Sequence, residues 1–195
     1  MPYRTVAHTL IGAGTLALSV AVIPAVSASA ATAPQSAPLA TTTLYYDDSQ
    51  ATEFKTALVA GAQSWNANVR NVRLVEAAPG ATAQIQIVAF DGWPQATLGP
   101  VRPTGARGTV WIGRQAVDQG YNTVRIAAHE LGHILGLPDA KPGPCSSLMS
   151  GSTGGVSCAN ATPNASERAA VEANYAGSAA TAVRPFDSVV VTDVP

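Results

Sequence analysis

The stretch HELGHILGLPD, His129 to Asp139, constrains this chain more than any other. Two histidines spaced i, i+4 stand one above the other on a helix face, so both imidazoles can aim at one ion, about 2.0–2.1 Å away for zinc. Glu130 then lies about 100° round the helix from His129, beside such an ion and suited to take a proton from a water held there. Gly132 keeps the opposite side of the turn slim, so another element can pack closely. Gly136 favours the left-handed conformation that ends helices, and Pro138 biases Leu137 away from helix. The chain must therefore leave the helix within a turn of His133, which returns Asp139 towards the same face as a third, oxygen ligand. Two histidines, a carboxylate and an open fourth position describe a catalytic rather than a closed structural zinc site.

Paired histidines at this spacing also occur in ordinary amphipathic helices, so the five-residue pattern alone is weak. A count strengthens it. The chain has three histidines, and His8 falls in an apparent leader, leaving His129 and His133 as the only two of the mature protein. The third ligand must then be an acid or a cysteine. The two cysteines, Cys145 and Cys158, lie close together in a Gly/Ser/Pro-rich stretch of a chain read as exported, where a disulfide is expected. Asp139 is the nearest acid with a geometric reason to be there, while Glu167 and Glu172 of the last helix are the rival third ligands.

The leader is read from MPYRTVAHTL, with one positive charge at Arg4, followed by the apolar run IGAGTLALSVAVIPAV and the small residues SASA. Residues 1–30 are expected to be a signal peptide. A membrane anchor is the alternative, disfavoured by Gly12, Gly14 and Pro24 within the run. The Ala/Pro-rich residues 31–41 read as a short propeptide or linker, 42–177 as the functional domain and 178–195 as a flexible tail, within which FDSVVV could add a strand to a sheet edge. Only 12% of residues are charged and the formal net charge is −1, which argues against nucleic acid as a partner. No basic amphipathic stretch suggests stable membrane association, and a monomer is expected.

Within the domain, TTTLYYDD reads as a strand, with Ser49 as cap of a helix whose Phe54, Leu58, Gly61, Ala62 and Trp65 form a buried face. NVRLVEA and the alternating AQIQIVAF read as strands, a Pro/Gly-rich loop follows, and RGTVWIG is a further strand. Asn122 is the expected N-cap of the histidine helix. Asn164 with Glu167 three residues on begins the last helix in capping-box style. The order β-α-β-β-β-α-loop-α predicts an α+β domain, a small twisted mixed sheet with an active-site helix, a backing helix and a C-terminal helix.

HELGHILGLPD resembles the shortened metzincin signature HExxHxxGxxD, with aspartate in place of a third histidine, and CSSLMSG follows where metzincins carry their Met-turn. Together with SWNANVRNVRL, GLPD and NASERAAV, these residues make the chain from about Thr42 to Gly177 similar to the snapalysin family of small secreted zinc metalloproteases. The resemblance implies one zinc held by His129, His133 and Asp139, Glu130 as general base, and Met149 as a hydrophobic floor beneath the metal. It implies a Cys145–Cys158 bridge that ties down this turn. It further implies protein or peptide substrates lying along RGTVWIG as an edge strand, with Tyr or Phe favoured just after the scissile bond. The family's calcium site maps to Asn122-Thr123-Val124, where Asn122 and Val124 offer only weak oxygen ligands. Lys141 stands where the family has a tyrosine. Outside this class, the sequence also admits a secreted zinc-stabilised binding protein without turnover.

Overall fold

The computed structural model describes residues 40–177 and 189–195. The expected signal peptide lies outside the described residues, as does most of the expected linker. Among the described residues, no helix is long and apolar enough to cross a membrane.

Among the described residues, six strands form one mixed sheet: β1 (Thr42–Gln50), β2 (Val72–Glu76), β3 (Ile85–Phe90), β4 (Gln95–Thr97), β5 (Gly108–Gly113) and β6 (Val190–Thr192). Their spatial order is β2-β1-β3-β5-β4-β6. The first four positions are parallel neighbours, whereas β4 runs antiparallel to β5 and β6 antiparallel to β4. Among the described residues, four α-helices accompany the sheet: α1 (Lys55–Asn68), α2 (Arg114–Asp118), α3 (Thr123–Ile134) and α4 (Ala165–Asn174). The α+β class and mixed sheet expected from the sequence are observed.

Alternation explains how the sheet buries one face. Ile85 and Ile87 of β3 are fully buried while Gln86 and Val88, which alternate with them, are only partly covered, the pattern of a strand with one face on the core. Helices α1 and α3 pack on each other, α1 over β2 and α3 over β4 and β5. Gly61 is the point of closest approach: a Cβ there would lie 2.9 Å from the Ala128 backbone nitrogen and 3.2 Å from Ala127 Cβ. Trp65, one turn on and fully buried, donates from Nε1 to the Ala128 carbonyl at 2.8 Å. The helix that carries both histidines is thus fixed in depth by a glycine and in register by an indole.

Four local expectations are corrected. Ser49 does not cap a helix; β1 continues through Gln50, and α1 grows out of a 3-10 turn at Thr52–Phe54 without a side-chain cap. The strand RGTVWIG is not an edge, because β4 lies between it and solvent. That β4 was hidden in an apparent loop, since three residues between Pro94 and Gly99-Pro100 carry no readable period. The tail expected to be flexible over 178–195 is, in its last part, ordered: Val190–Thr192 pair with Gln95–Thr97. Residues 178–188 lie outside the described residues.

Candidate metal centre

Helix α3 begins as expected. Asn122 is its N-cap, the side chain accepting from Arg125 N at 2.9 Å. Its end is a Schellman turn: Gly136, at φ 96°, and Leu137 donate back to the carbonyls of His133 and Gly132 at 2.9 and 3.0 Å. The chain after β4 adds two donors at this end: Gly99 N gives a second hydrogen bond to His133 O at 2.7 Å, and Val101 N donates to Ile134 O at 3.0 Å. Little of the helix terminus is left unsatisfied, so the abrupt exit is stable.

That exit places the donor atoms. His133 Nδ1 lies 2.7 Å from Leu137 O, and His129 Nδ1 lies 3.0 Å from Leu148 O. A carbonyl can only accept, so both rings carry their proton on Nδ1 and turn an Nε2 lone pair to the same point. The two Nε2 atoms are 3.0 Å apart, and Asp139 Oδ1 lies 3.2 Å from the first and 3.5 Å from the second. Three facing acceptors at this spacing repel one another unless a cation sits among them. Ligands on a tetrahedral zinc with bonds of about 2.0–2.1 Å are separated by about 3.4 Å, so the donor set and its spacing fit that ion. Asp139 Oδ1 is buried without a hydrogen-bond partner, as an atom reserved for a metal would be.

The electrostatics point the same way. Glu130 is fully buried and neither carboxylate oxygen has a partner. Loss of hydration, reinforced by Asp193 and Asp139 and opposed by His129, pushes its carboxyl up to about 8. Burial disfavours a charged His129, yet Asp139 beside it, with Glu130 and Asp193, outweighs burial and raises the ring to about 9. Against the upward push of its own burial, Asp139 is held well below the usual carboxylate range by the two rings. Three acids around one point call for positive charge there.

Beneath the helix, Gly132 does what its size suggested. A Cβ at this position would lie 2.6 Å from Met149 Sδ and 3.1 Å from Trp65 Cζ2. Met149 is 1% exposed and belongs to an irregular 3-10 segment, Leu148–Gly154, that packs against α3. Glu167 anchors this segment, its Oε1 accepting from Ser147 Oγ at 2.7 Å and Met149 N at 2.9 Å. Its Oε2 closes the capping box of α4 through Asn164 N at 2.7 Å. From the other side, buried Arg125 donates to Ser147 O, Ser150 Oγ and Asn160 O at 3.0, 2.9 and 2.6 Å. A Cys145–Cys158 disulfide, with Cα atoms 5.5 Å apart, closes the loop that contains this segment.

The rival third ligands are engaged elsewhere: Glu167 as described, and Glu172 by the backbone N–H groups of Arg70 and Asn71 at 2.6 and 2.9 Å. Asn122 Oδ1, a proposed calcium ligand with the Val124 carbonyl, is committed to its cap. Among the described residues, the clusters of three or more His, Cys, Asp or Glu donors all contain His129. One of them, His129 with Glu130 and Asp193, includes an acid the sequence reading missed. Asp193 is 5% exposed, and its Oδ2 is 4.0 Å from His129 Nε2. Its only sequence signal was the strand-forming run just before it, FDSVVVTD.

Comparison with known proteins completes the description. Residues 41–178 match the Streptomyces extracellular neutral proteinase (M7) family. The chain is similar to an extracellular small neutral protease of Streptomyces lividans, 39% identical over 80% of this chain and 66% of that protein. A second, from Streptomyces caespitosus, is 40% identical over 70% of this chain and 98% of that one. The chain thus spans just under two thirds of the first relative's length and nearly all of the second's. Among solved structures, a hatching enzyme zinc-protease of the medaka fish Oryzias latipes overlaps 50% of this chain and 44% of its own, at TM-score 0.37 and 21% identity.

Proposed function

The chain belongs to the Streptomyces extracellular neutral proteinase (M7) family, a family of metalloendopeptidases, and from that premise we propose that it is a secreted zinc endopeptidase. His129, His133 and Asp139 would hold the ion and Glu130 would be the general base. The observation that carries this reading is the convergence of two Nδ1-protonated imidazoles and one unpartnered carboxylate oxygen at separations of 3.0–3.5 Å. Secretion is supported by the extracellular relatives.

Bound zinc would polarise a scissile carbonyl and lower the pKa of a neighbouring water towards about 7. The rest of the chemistry belongs to this chain's own residues. Glu130, dry and lacking any other partner, takes a proton from the attacking water and returns it to the leaving amine. Its pKa near 8 in the metal-free site would fall once a cation neutralises the neighbouring acids, which makes it an effective base near neutral pH. The carbonyls of Leu137 and Leu148 hold the ligand rings in one orientation. An extended substrate would pair by its main chain with β4, the strand beside the metal centre, on the edge that β6 covers, rather than with β5. A small cavity beside the site is lined by both apolar and polar groups, Trp93, Tyr121 and Ile126 with Arg125, His129 and Asp193. The preference for Tyr or Phe after the scissile bond rests on the resemblance to the snapalysin family.

The test is casein hydrolysis with and without chelator, alongside Glu130→Gln. The wild type should lose activity on chelation and regain it with zinc. The variant should bind zinc equally and be slower by about 10²–10⁴, the usual contribution of a general base. A wild type that holds stoichiometric zinc yet cleaves neither casein nor aromatic-containing peptides would be a binding protein instead.

A further inference from the structure

The last seven residues described, Val189–Pro195, cross the face where a substrate would lie. Their strand, β6, pairs antiparallel with β4 through Gln95↔Thr192, Ala96↔Val191 and Thr97↔Val190. The pairing is extended at both ends, with Leu98 N donating to Val189 O and Asp193 N to Pro94 O, both at 2.8 Å. Without β6, β4 would be an open sheet edge beside the metal centre, the surface on which an extended peptide is captured by main-chain hydrogen bonds.

The segment also delivers a side chain to the metal centre. Asp193 is buried, with Oδ2 4.0 Å from His129 Nε2 and donor atoms of His129, Glu130 and Asp193 all within 4.8 Å of one another. Its Oδ1 accepts from Ser152 N at 3.0 Å and pairs with Lys141. Lys141 also donates to Val194 O at 2.9 Å, and Ser152 Oγ donates to the same carbonyl at 2.8 Å. Gly151, at φ 52°, leaves room for the carboxylate, since a Cβ there would lie 2.2 Å from Asp193 Oδ1. Side chains and backbone from two separate loops thus form a cradle for one acid on one strand. Val189, Val190 and Val194 remain exposed, so burial of apolar surface is not what holds the segment. Its fixed points are the β4 ladder, the Asp193 carboxylate and the Val194 carbonyl.

We propose that Val189–Pro195 is an intramolecular inhibitor. It occupies the substrate's strand position on β4 and sets the Asp193 carboxylate against the open side of the His129–His133–Asp139 centre, with Lys141 as the residue that secures it. The proposal rests on the endopeptidase reading for its consequence, but the docking itself does not. It assigns a role to Lys141, whose ammonium also lies 3.7 Å from Asp139 Oδ2. Removal of the segment would free both the strand edge and the carboxylate's place beside His129.

The test begins with the full zinc-loaded chain carrying a recognition site for a specific protease within residues 178–188, cut after folding. Cutting should raise peptide hydrolysis at least tenfold. Asp193→Asn and Lys141→Met in the uncut chain should each recover a large part of that gain. A fluorescent peptide of sequence VVVTDVP (Val189–Pro195) should bind the cut, zinc-loaded chain, compete with substrate, and bind at least tenfold more weakly when its aspartate is replaced by asparagine. Equal activity before and after cutting, or a peptide whose binding ignores that replacement, would overturn the proposal. Aspartate-dependent peptide binding by a cut chain that hydrolyses nothing would support the docking and overturn the endopeptidase reading instead.

Discussion

Gly61→Ala sets two known effects against each other at the crossing of α1 and α3. Replacing glycine by alanine inside a helix ordinarily stabilises by about 1 kcal/mol, and Gly61 lies in the middle of α1. The new methyl, however, would stand 2.9 Å from Ala128 N and 3.1 Å from Ala127 C. These are backbone atoms of the neighbouring helix, so no side chain can swing away and the helices must separate by a few tenths of an ångström. Overpacking of this kind costs about 1–3 kcal/mol. The net expectation is a loss of about 1 kcal/mol, or about 2–4 °C in Tm for a domain of this size. Because Ala128 immediately precedes His129, the same shift should loosen the metal centre and lower zinc affinity. Thermal unfolding of the zinc-loaded and chelated forms measures both effects. A Tm raised by the full helix-propensity gain, with zinc affinity unchanged, would refute the claim that α3 is positioned by contact at Gly61.

Glu167→Gln should cost about 2–4 kcal/mol, because an amide cannot accept all the bonds now made by the carboxylate to Ser147, Met149 and Asn164; denaturant unfolding measures the loss, and zinc stoichiometry should stay at one. In the chelated protein, Glu130 has a carboxyl raised from 4.5 to about 8, so ionising it opposes folding, and stability should fall as pH rises through that window. Glu130→Gln removes this term; the variant's unfolding free energy should rise relative to wild type by up to a few kcal/mol from about pH 4 to about pH 8, with its Tm rising likewise. Parallel Tm curves would contradict the placement of Glu130 in a dry site.

The parts of this molecule that were legible in its sequence are those in which local chemistry and tertiary structure agree. HELGHILGLPD announced a helix, its stop and its donor set because the i, i+4 spacing, the left-handed Gly136 and the Asp139 return are all local. Asn122 and Asn164 were readable as caps for the same reason, and the alternation of AQIQIVAF marked its buried face. Ser49 misled because a polar residue before a helical pattern can equally end a strand, and β1 runs on through Gln50 under its pairing with β3. Strand β4 is too short for a period and exists because β5 lies beside it. Asp193 was out of reach for a different reason: its meaning depends on Lys141, Ser152 and Gly151, some forty to fifty residues away in sequence.

One zinc ion held by His129, His133 and Asp139 would be visible to anomalous diffraction at the zinc edge, from crystals of the zinc-loaded chain. One strong peak is expected about 2.0–2.2 Å from His129 Nε2, His133 Nε2 and an Asp139 carboxylate oxygen. A peak bound by another set of side chains, or none in a crystal whose protein hydrolyses casein, would contradict that ligand set.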